Sequence, residues 1–379
     1  MRARSAASAT RRRDVATIDL VLPGDPNTPT GGYIYDRAIV NGLASLGWRT
    51  AVHSLDASFP RPTPSALRAA RATFAAIDRG RLVVIDGLAL PGLDRLLEEE
   101  SRRLRLVALV HHPVALETGL DPHSAALLRD AERRALARVE RVIVTSQWTA
   151  RALGEYGVQS ARIRVVEPGV DRRTSRRAKT RARVRPRAKP ERAASALNLL
   201  CAATLTPRKG HAVLFEALAE LRDRHWHLIC AGSLTRDAAT VAALQRQISR
   251  LRLRDRVSLL GDLDAQTLER HYARADLFVL ASYLEGYGMA LAEAAARGIP
   301  VVSTTAGAIP ETVPAGSCVL VRPGDSRALA KALANLMDDE SARRRLAAGA
   351  RKARAELPTW RTAVAKFAAA LDGVGARAA

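Results

Sequence analysis

Short apolar runs recur along this chain, and most are separated by longer stretches with helical spacing. In the first half the runs fall near 15–22, 49–54, 82–86, 105–110, 141–145 and 163–167, with helical segments near 33–46, 65–77, 123–137 and 147–155. The second half repeats the arrangement. Strands are expected near 197–203, 226–231, 256–260, 276–280, 299–303 and 317–321, and helices near 209–222, 237–250, 264–274, 289–297 and 326–337. Runs such as Leu277-Phe278-Val279-Leu280 have no polar alternate position, as strands buried on both faces require. Strands alternating with helices imply βαβ units and parallel sheets. The tail adds a charged helical segment at 340–356, a break at Pro358, and a last helix from Thr359-Trp360 to near Leu371.

A length of 379 residues suits two domains. The expected fold is α/β: two Rossmann-like, doubly wound domains facing across a cleft. The divisions are an N-terminal domain at 14–171, a basic linker or insertion at 172–196, a C-terminal domain at 197–356, and a terminal segment at 357–379 able to cross back to the first domain. Ligands of such sheets bind beyond the carboxyl ends of the strands, so the cleft is the place to look.

Composition changes this picture little. Hydrophobic content of 47% can fill two cores, and no apolar run approaches the roughly 18–20 residues of a membrane helix. The apolar run from Val15 to Leu22 carries Asp19 and reads as a first strand after a basic arm, not as a signal peptide. Cys201, Cys230 and Cys318 lie far apart in sequence, each in an apolar run, and read as buried thiols of a reducing cytoplasm. The net charge of +22 is uneven: residues 172–192 hold eleven Arg or Lys and one acid. Such a block is expected to be a solvated linker. Its alternative role is attraction to an anionic surface, either lipid on the inner face of a membrane or, less favoured, nucleic acid.

Candidate chemistry gathers at strand ends. Gly31-Gly32 follows the first strand and opens a helix, where a ligand can approach backbone N–H groups. His111-His112 ends the 105–110 strand with Glu117 just beyond, and a histidine there can move a proton or hold a hydroxyl. Arg208-Lys209 stands between a strand and a helix start, a place for a diphosphate. Glu285-Gly286-Tyr287-Gly288-Met289-Ala290-Leu291-Ala292-Glu293 puts two carboxylates around a glycine loop that runs into a helix. Eight residues of helix rise roughly 12 Å, too far for a glycosidase pair, so the two acids should grip different parts of one extended ligand. Asp264 is expected to cap a helix rather than to bind metal with Asp262. Ligand-spaced His and Cys for zinc are lacking around His111.

At these residues the chain resembles the family 4 glycosyltransferases of the GT-B fold, from about Thr17 to Leu371 apart from the basic block. The most specific match is the Glu-x7-Glu motif ending in Glu293. Gly31-Gly32, His111, Pro207-Arg208-Lys209-Gly210, Pro310-Glu311 and Pro323-Gly324-Asp325 support it. The resemblance implies an anomer-retaining hexosyltransferase that uses a UDP- or GDP-sugar as co-substrate, with no other cofactor and no catalytic metal. The acceptor, a glycan, lipid or small molecule, would sit on the N-terminal domain and the donor on the C-terminal one. Catalytic roles fall on His111, Glu285, Arg208 and Lys209. Donor contacts fall on Gly31, Gly32, Gly286, Tyr287, Gly288, Met289, Ala290, Leu291 and Glu293, with Glu293 on the ribose hydroxyls. The chain departs from the pattern at Ala203-Thr204, where many members carry Gly-Arg, and at Ala281-Ser282, where Pro-Ser is usual. The rival readings are a sugar-nucleotide epimerase on the same scaffold and a basic nucleic-acid-binding protein.

Overall fold

The computed structural model describes residues 16–171 and 196–374; the basic block at 172–192 lies outside them. The first sheet takes β1 (Thr17–Pro23), β2 (Arg49–Leu55), β3 (Leu82–Asp86), β4 (Arg105–Val110), β5 (Arg141–Val144) and β6 (Ile163–Val165). They are all parallel, in the order β2-β1-β3-β4-β5-β6. Around it lie α1 (Gly31–Ser45), α2 (Pro64–Ala75), α3 (Leu90–Glu100), α4 (Pro122–Arg138) and α5 (Gln147–Ala152).

The second sheet takes β7 (Leu197–Ala202), β8 (Trp226–Ala231), β9 (Val257–Gly261), β10 (Leu277–Leu280), β11 (Val301–Thr304) and β12 (Cys318–Val321). It too is parallel, in the order β12-β11-β10-β7-β8-β9. Its helices are α6 (His211–Ala219), α7 (Ala238–Arg250), α8 (Ala265–Arg274), α9 (Met289–Ala296), α10 (Ile309–Thr312), α11 (Ser326–Asp338) and α12 (Glu340–Ala353). The chain's last described helix is α13 (Trp360–Leu371). None of the described helices is long and apolar enough to cross a membrane.

Burial explains why these runs are strands. Every residue of β3 and β10 is buried, as a parallel sheet with helices on both faces demands. Each sheet reverses its strand order once, between β1 and β3 in the first and between β7 and β10 in the second. Those switch points are where open α/β sheets leave a crevice. The second half builds one core around Leu214, Phe215, Phe278 and Leu291. In the first half, α13 packs on α1: Val364 and Phe367 join Ile39 and Leu43 in one buried cluster. The C-terminal helix therefore closes the N-terminal sheet's flank.

Three features differ from the sequence reading. α3 falls in a stretch where no helix was expected. α6 begins at His211, not 209, because Pro207–Lys209 forms its own 3-10 turn and Gly210 takes a left-handed φ of 66°. A side chain on Gly210 would place its Cβ 2.0 Å from the Ala281 carbonyl oxygen, so β10's exit passes directly over this turn. Finally, Cys201 and Cys230, distant in sequence, are register partners on β7 and β8. Both are buried, with Cys201 Sγ 3.6 Å from His211 Nε2.

Candidate active site

The two sheets present their carboxyl edges to a shared cavity of about 1230 Å³. Gly31, Gly32, Asp86, His111 and Glu117 line it from the first sheet. Arg208, Lys209, Tyr272, Glu285 and Glu293 line it from the second. A Cβ built on Gly31 would stand 3.8 Å from Met289 Sδ. The N-terminus of α1 thus opposes the N-terminus of α9 across the gap. Opposed helix N-termini, each with unsatisfied N–H groups, favour an anion between them.

Lys209, raised on the 3-10 turn, reaches across to the loop after β10. Its Nζ donates to Glu285 Oε1 at 2.6 Å, and Ser282 Oγ donates to the same oxygen at 2.7 Å. Arg208 donates to the Leu284 carbonyl at 2.7 Å and stands 3.7 Å from Glu285 Oε2. Burial works against Glu285's charge, yet Lys209 and Arg208 hold its carboxyl below the ordinary range. Burial lowers the Lys209 amine and Arg208 adds to that, while Glu285 opposes both. The 2.6 Å contact is that of an ionised pair.

Arg208 also joins the halves: its Nε lies 2.8 Å from Glu117 Oε1, and Glu117 Oε2 is 3.1 Å from His112 Nε2. Despite burial, His112 and Arg208 bring the Glu117 carboxyl down to about 2. Burial lowers the His112 imidazole. A second link runs through α5. Glu311 of α10 accepts from the Trp148 backbone N–H at 2.9 Å and pairs with Arg151.

Gly286 brings the halves close together. A Cβ there would lie 2.0 Å from the His111 carbonyl oxygen. That carbonyl accepts from Thr145 and Thr149 hydroxyls at 3.2 Å each. The Gly32 position lies against the other side of His111, 3.3 Å from its Cδ2 by the same construction.

Glu293 sits on α9 with Oε2 accepting from Tyr272 Oη at 3.1 Å. The Tyr272 ring lies under the Arg297 guanidinium, 4.4 Å from its carbon. Burial raises the Glu293 carboxyl above its usual range, against the pull of Arg297. Gly286, Tyr287, Gly288, Met289 and Ala290 border the cavity. Leu291 does not: its side chain is fully buried in the second core, and its N–H is taken by the Gly288 carbonyl at 3.0 Å. Asp264 caps α8 by accepting from the Thr267 N–H at 2.7 Å.

The sequence reading missed two acids behind His111. Asp36 of α1 and Asp86 at the end of β3 are both buried. Their carboxylate oxygens lie 3.3 and 3.6 Å from His111 Nε2. The available signal was Asp86 itself, a charge ending the apolar run Leu82-Val83-Val84-Ile85. Asp36 carried none, since an acid on a helix usually faces water. Tyr272, which holds Glu293, was missed because an aromatic residue on a helix reads as core. The donor set of Cys201, His211 and Cys230 is compact enough to hold a soft metal, but it is buried in the second core.

Two parallel sheets with charged loops opposed at their carboxyl edges define a two-domain α/β protein of the GT-B fold. The model of Glycosyltransferase Family 4 matches residues 7–174, and that of Glycosyl transferases group 1 matches 185–353. The chain belongs to the family 4 glycosyltransferases, and it is an enzyme of glycosyl transfer. It is 29% identical over 338 residues to the MMP alpha-(1->4)-mannosyltransferase of Mycolicibacterium hassiacum, covering 85% of this chain and 78% of that one. Sucrose-phosphate synthase from Thermosynechococcus elongatus matches in structure with a TM-score of 0.75 at 20% identity, over 93% of this chain and 98% of its own. Anabaena HepE in complex with UDP-glucose matches with 0.71 at 22% identity, over 93% and 99%. At such identities these two structures speak for the fold.

Proposed function

We propose that the chain transfers a hexose from a nucleoside diphosphate sugar to an acceptor with retention of anomeric configuration and without a catalytic metal. The observation that carries this reading is the pairing of Arg208 and Lys209 with Glu285 at the floor of the cleft, opposite the start of α1. The family resemblance assigns the acceptor to residues 14–171 and the donor to 197–356, one on each wall of the cleft. The relatives' names support hexose transfer from a nucleotide sugar: one is a mannosyltransferase, and one solved neighbour holds UDP-glucose.

When the sugar–phosphate bond breaks, the electron pair leaves with the β-phosphate oxygen. Lys209 and Arg208 then stabilise that developing charge more than they stabilise the bound donor, which is what lowers a barrier. In the structure their charge is met by Glu285 and Glu117. An arriving diphosphate takes over the cations, and Glu285 turns to the hydroxyls of the donor sugar. Glu293, steadied by Tyr272, accepts from the ribose hydroxyls. The acceptor oxygen attacks the face from which the diphosphate departs. It forms the new bond to the anomeric carbon while its proton passes to the leaving phosphate oxygen.

The test is a thermal-shift screen of UDP, GDP and their hexose conjugates, followed by NMR of the product formed with candidate acceptors. Stabilisation by one nucleoside diphosphate and an unchanged anomeric configuration are expected. Inverted product would refute retention, and a screen in which no nucleotide raises the melting point would refute the donor. Epimerised sugar formed without any acceptor would favour the epimerase reading.

A further inference from the structure

His111 presents only part of its ring to the cleft. Its side chain is 21% exposed, but its Nε2 has almost no contact with solvent. That nitrogen faces Asp36 Oδ1 at 3.3 Å and Asp86 Oδ2 at 3.6 Å. Both Asp36 oxygens are buried, and neither they nor His111 Nε2 has a hydrogen bond among the described residues, so ring and carboxylates meet through charge. A carboxylate so placed is costly unless a positive charge stands beside it. Asp86 is better provided, since its Oδ1 accepts from the Leu88 N–H at 2.7 Å.

We propose that Asp36 is a positioning residue which, with Asp86, keeps His111 a cation with Nε2–H directed at the two carboxylates, so that the ring can only donate toward the cleft. The proposal builds on the placement of His111 in the transfer site. It decides between two roles open to a strand-end histidine. A cationic imidazole has no lone pair to accept the acceptor's proton, so His111 is not the base. Its Nδ1–H is left to hold an oxygen of sugar or acceptor.

The surroundings agree. From α1, the Tyr35 ring meets His111 edge-on at 5.4 Å and supplies no charge, and Asp36 supplies one negative charge. From β3 comes Asp86. The opposing positive influence is His112, whose charge is weakened by burial and which is turned toward Glu117 and Arg208. Burial disfavours the charged ring, but Asp36 and then Asp86 outweigh it and raise His111 to about 10. Burial likewise lifts Asp36 to about 6, with His111 pulling the other way.

The experiment follows the His111 ring by NMR from pH 5 to 10 in the full chain, with the resonance assigned through His111→Gln. In the unmodified protein the ring is expected to stay doubly protonated beyond pH 8.5. In Asp36→Asn its proton affinity should drop at least tenfold, and turnover should acquire a new decline between pH 7 and 9. Asp36→Glu should restore the flat profile. A merely structural Asp36 would lower turnover equally at every pH and leave the titration in place, which overturns the proposal. So does a neutral ring at pH 7 in the unmodified protein. Stoichiometric broadening of the His111 signal by Mn²⁺ also overturns it, since a metal would then stand where the proton is assigned. The ring titration needs no donor or acceptor. A chain inactive on every nucleotide sugar would therefore refute the function proposed above while leaving this result readable.

Discussion

Lys209 and Glu285 stand 76 positions apart in the chain, yet Nζ and Oε1 lie 2.6 Å apart. The pair spans the switch point of the second sheet, one residue on the turn after β7 and the other on the loop after β10. It places a half-buried positive charge where the strand order reverses. Lys209→Ala should therefore cut turnover by roughly a hundredfold or more, the usual loss on removing one principal donor to a developing oxyanion. Steady-state and single-turnover rates check this. A near-normal rate would remove Lys209 from the reaction.

Glu293 contributes to binding more than to bond breaking. Its carboxylate is already oriented by Tyr272, so it is prepared to accept from paired hydroxyls. Losing charged hydrogen bonds of about 1.5–3 kcal/mol should weaken nucleoside diphosphate affinity roughly tenfold or more in Glu293→Ala. Calorimetric titration reads the change directly. Unaltered affinity would place the ribose elsewhere.

Inner strands such as β3 and β10 were legible because their apolar runs are buried along their whole length. The pairing of Arg208-Lys209 with Glu285 was legible only as two separate sites, since what joins them is strand order. α3 escaped notice although Leu90, Leu93, Leu96 and Leu97 mark a helical stripe, all four buried. Pro91-Gly92 at its start and Glu98-Glu99-Glu100 at its end look like a loop. Asp36 shows the harder limit. Its burial depends on α1 lying against β3 and β4, a long-range fact that local spacing does not contain. The same holds for Cys201 and Cys230, brought together only by parallel pairing.

Gly286 tests how closely the two halves must meet. An alanine Cβ would press on the His111 carbonyl oxygen from 2.0 Å and on His112 Cβ from 3.2 Å. The carbonyl cannot yield easily, because two threonine hydroxyls hold it. Gly286→Ala should destabilise the protein by about 1–3 kcal/mol, the usual cost of overpacking. Turnover should fall as well, because the loop from Gly286 to Met289 would be pushed out of place. Differential scanning calorimetry and rate measurements on the same sample check both effects. An unchanged melting point with full activity would show that the halves part at this contact.

Glu132 ties pH to the turn that carries the histidines. It lies buried on α4 and accepts from the Val114 and Ala115 N–H groups at 2.7 and 3.1 Å, just beyond His111-His112. Those bonds favour the carboxylate, but burial is the larger effect and raises the group from 4.5 to about 7. The folded chain thus holds this proton more tightly than the unfolded chain does. The stabilisation is complete below pH 4.5 and is lost as pH rises through 7, a change on the order of 3 kcal/mol. Glu132→Gln cannot titrate. The melting-point difference, unmodified protein minus variant, should therefore shrink between pH 5 and 7.5 and level off above that. A difference that stays flat from pH 5 to 7.5 would mean the buried carboxyl is ionised throughout, with the two backbone bonds outweighing burial.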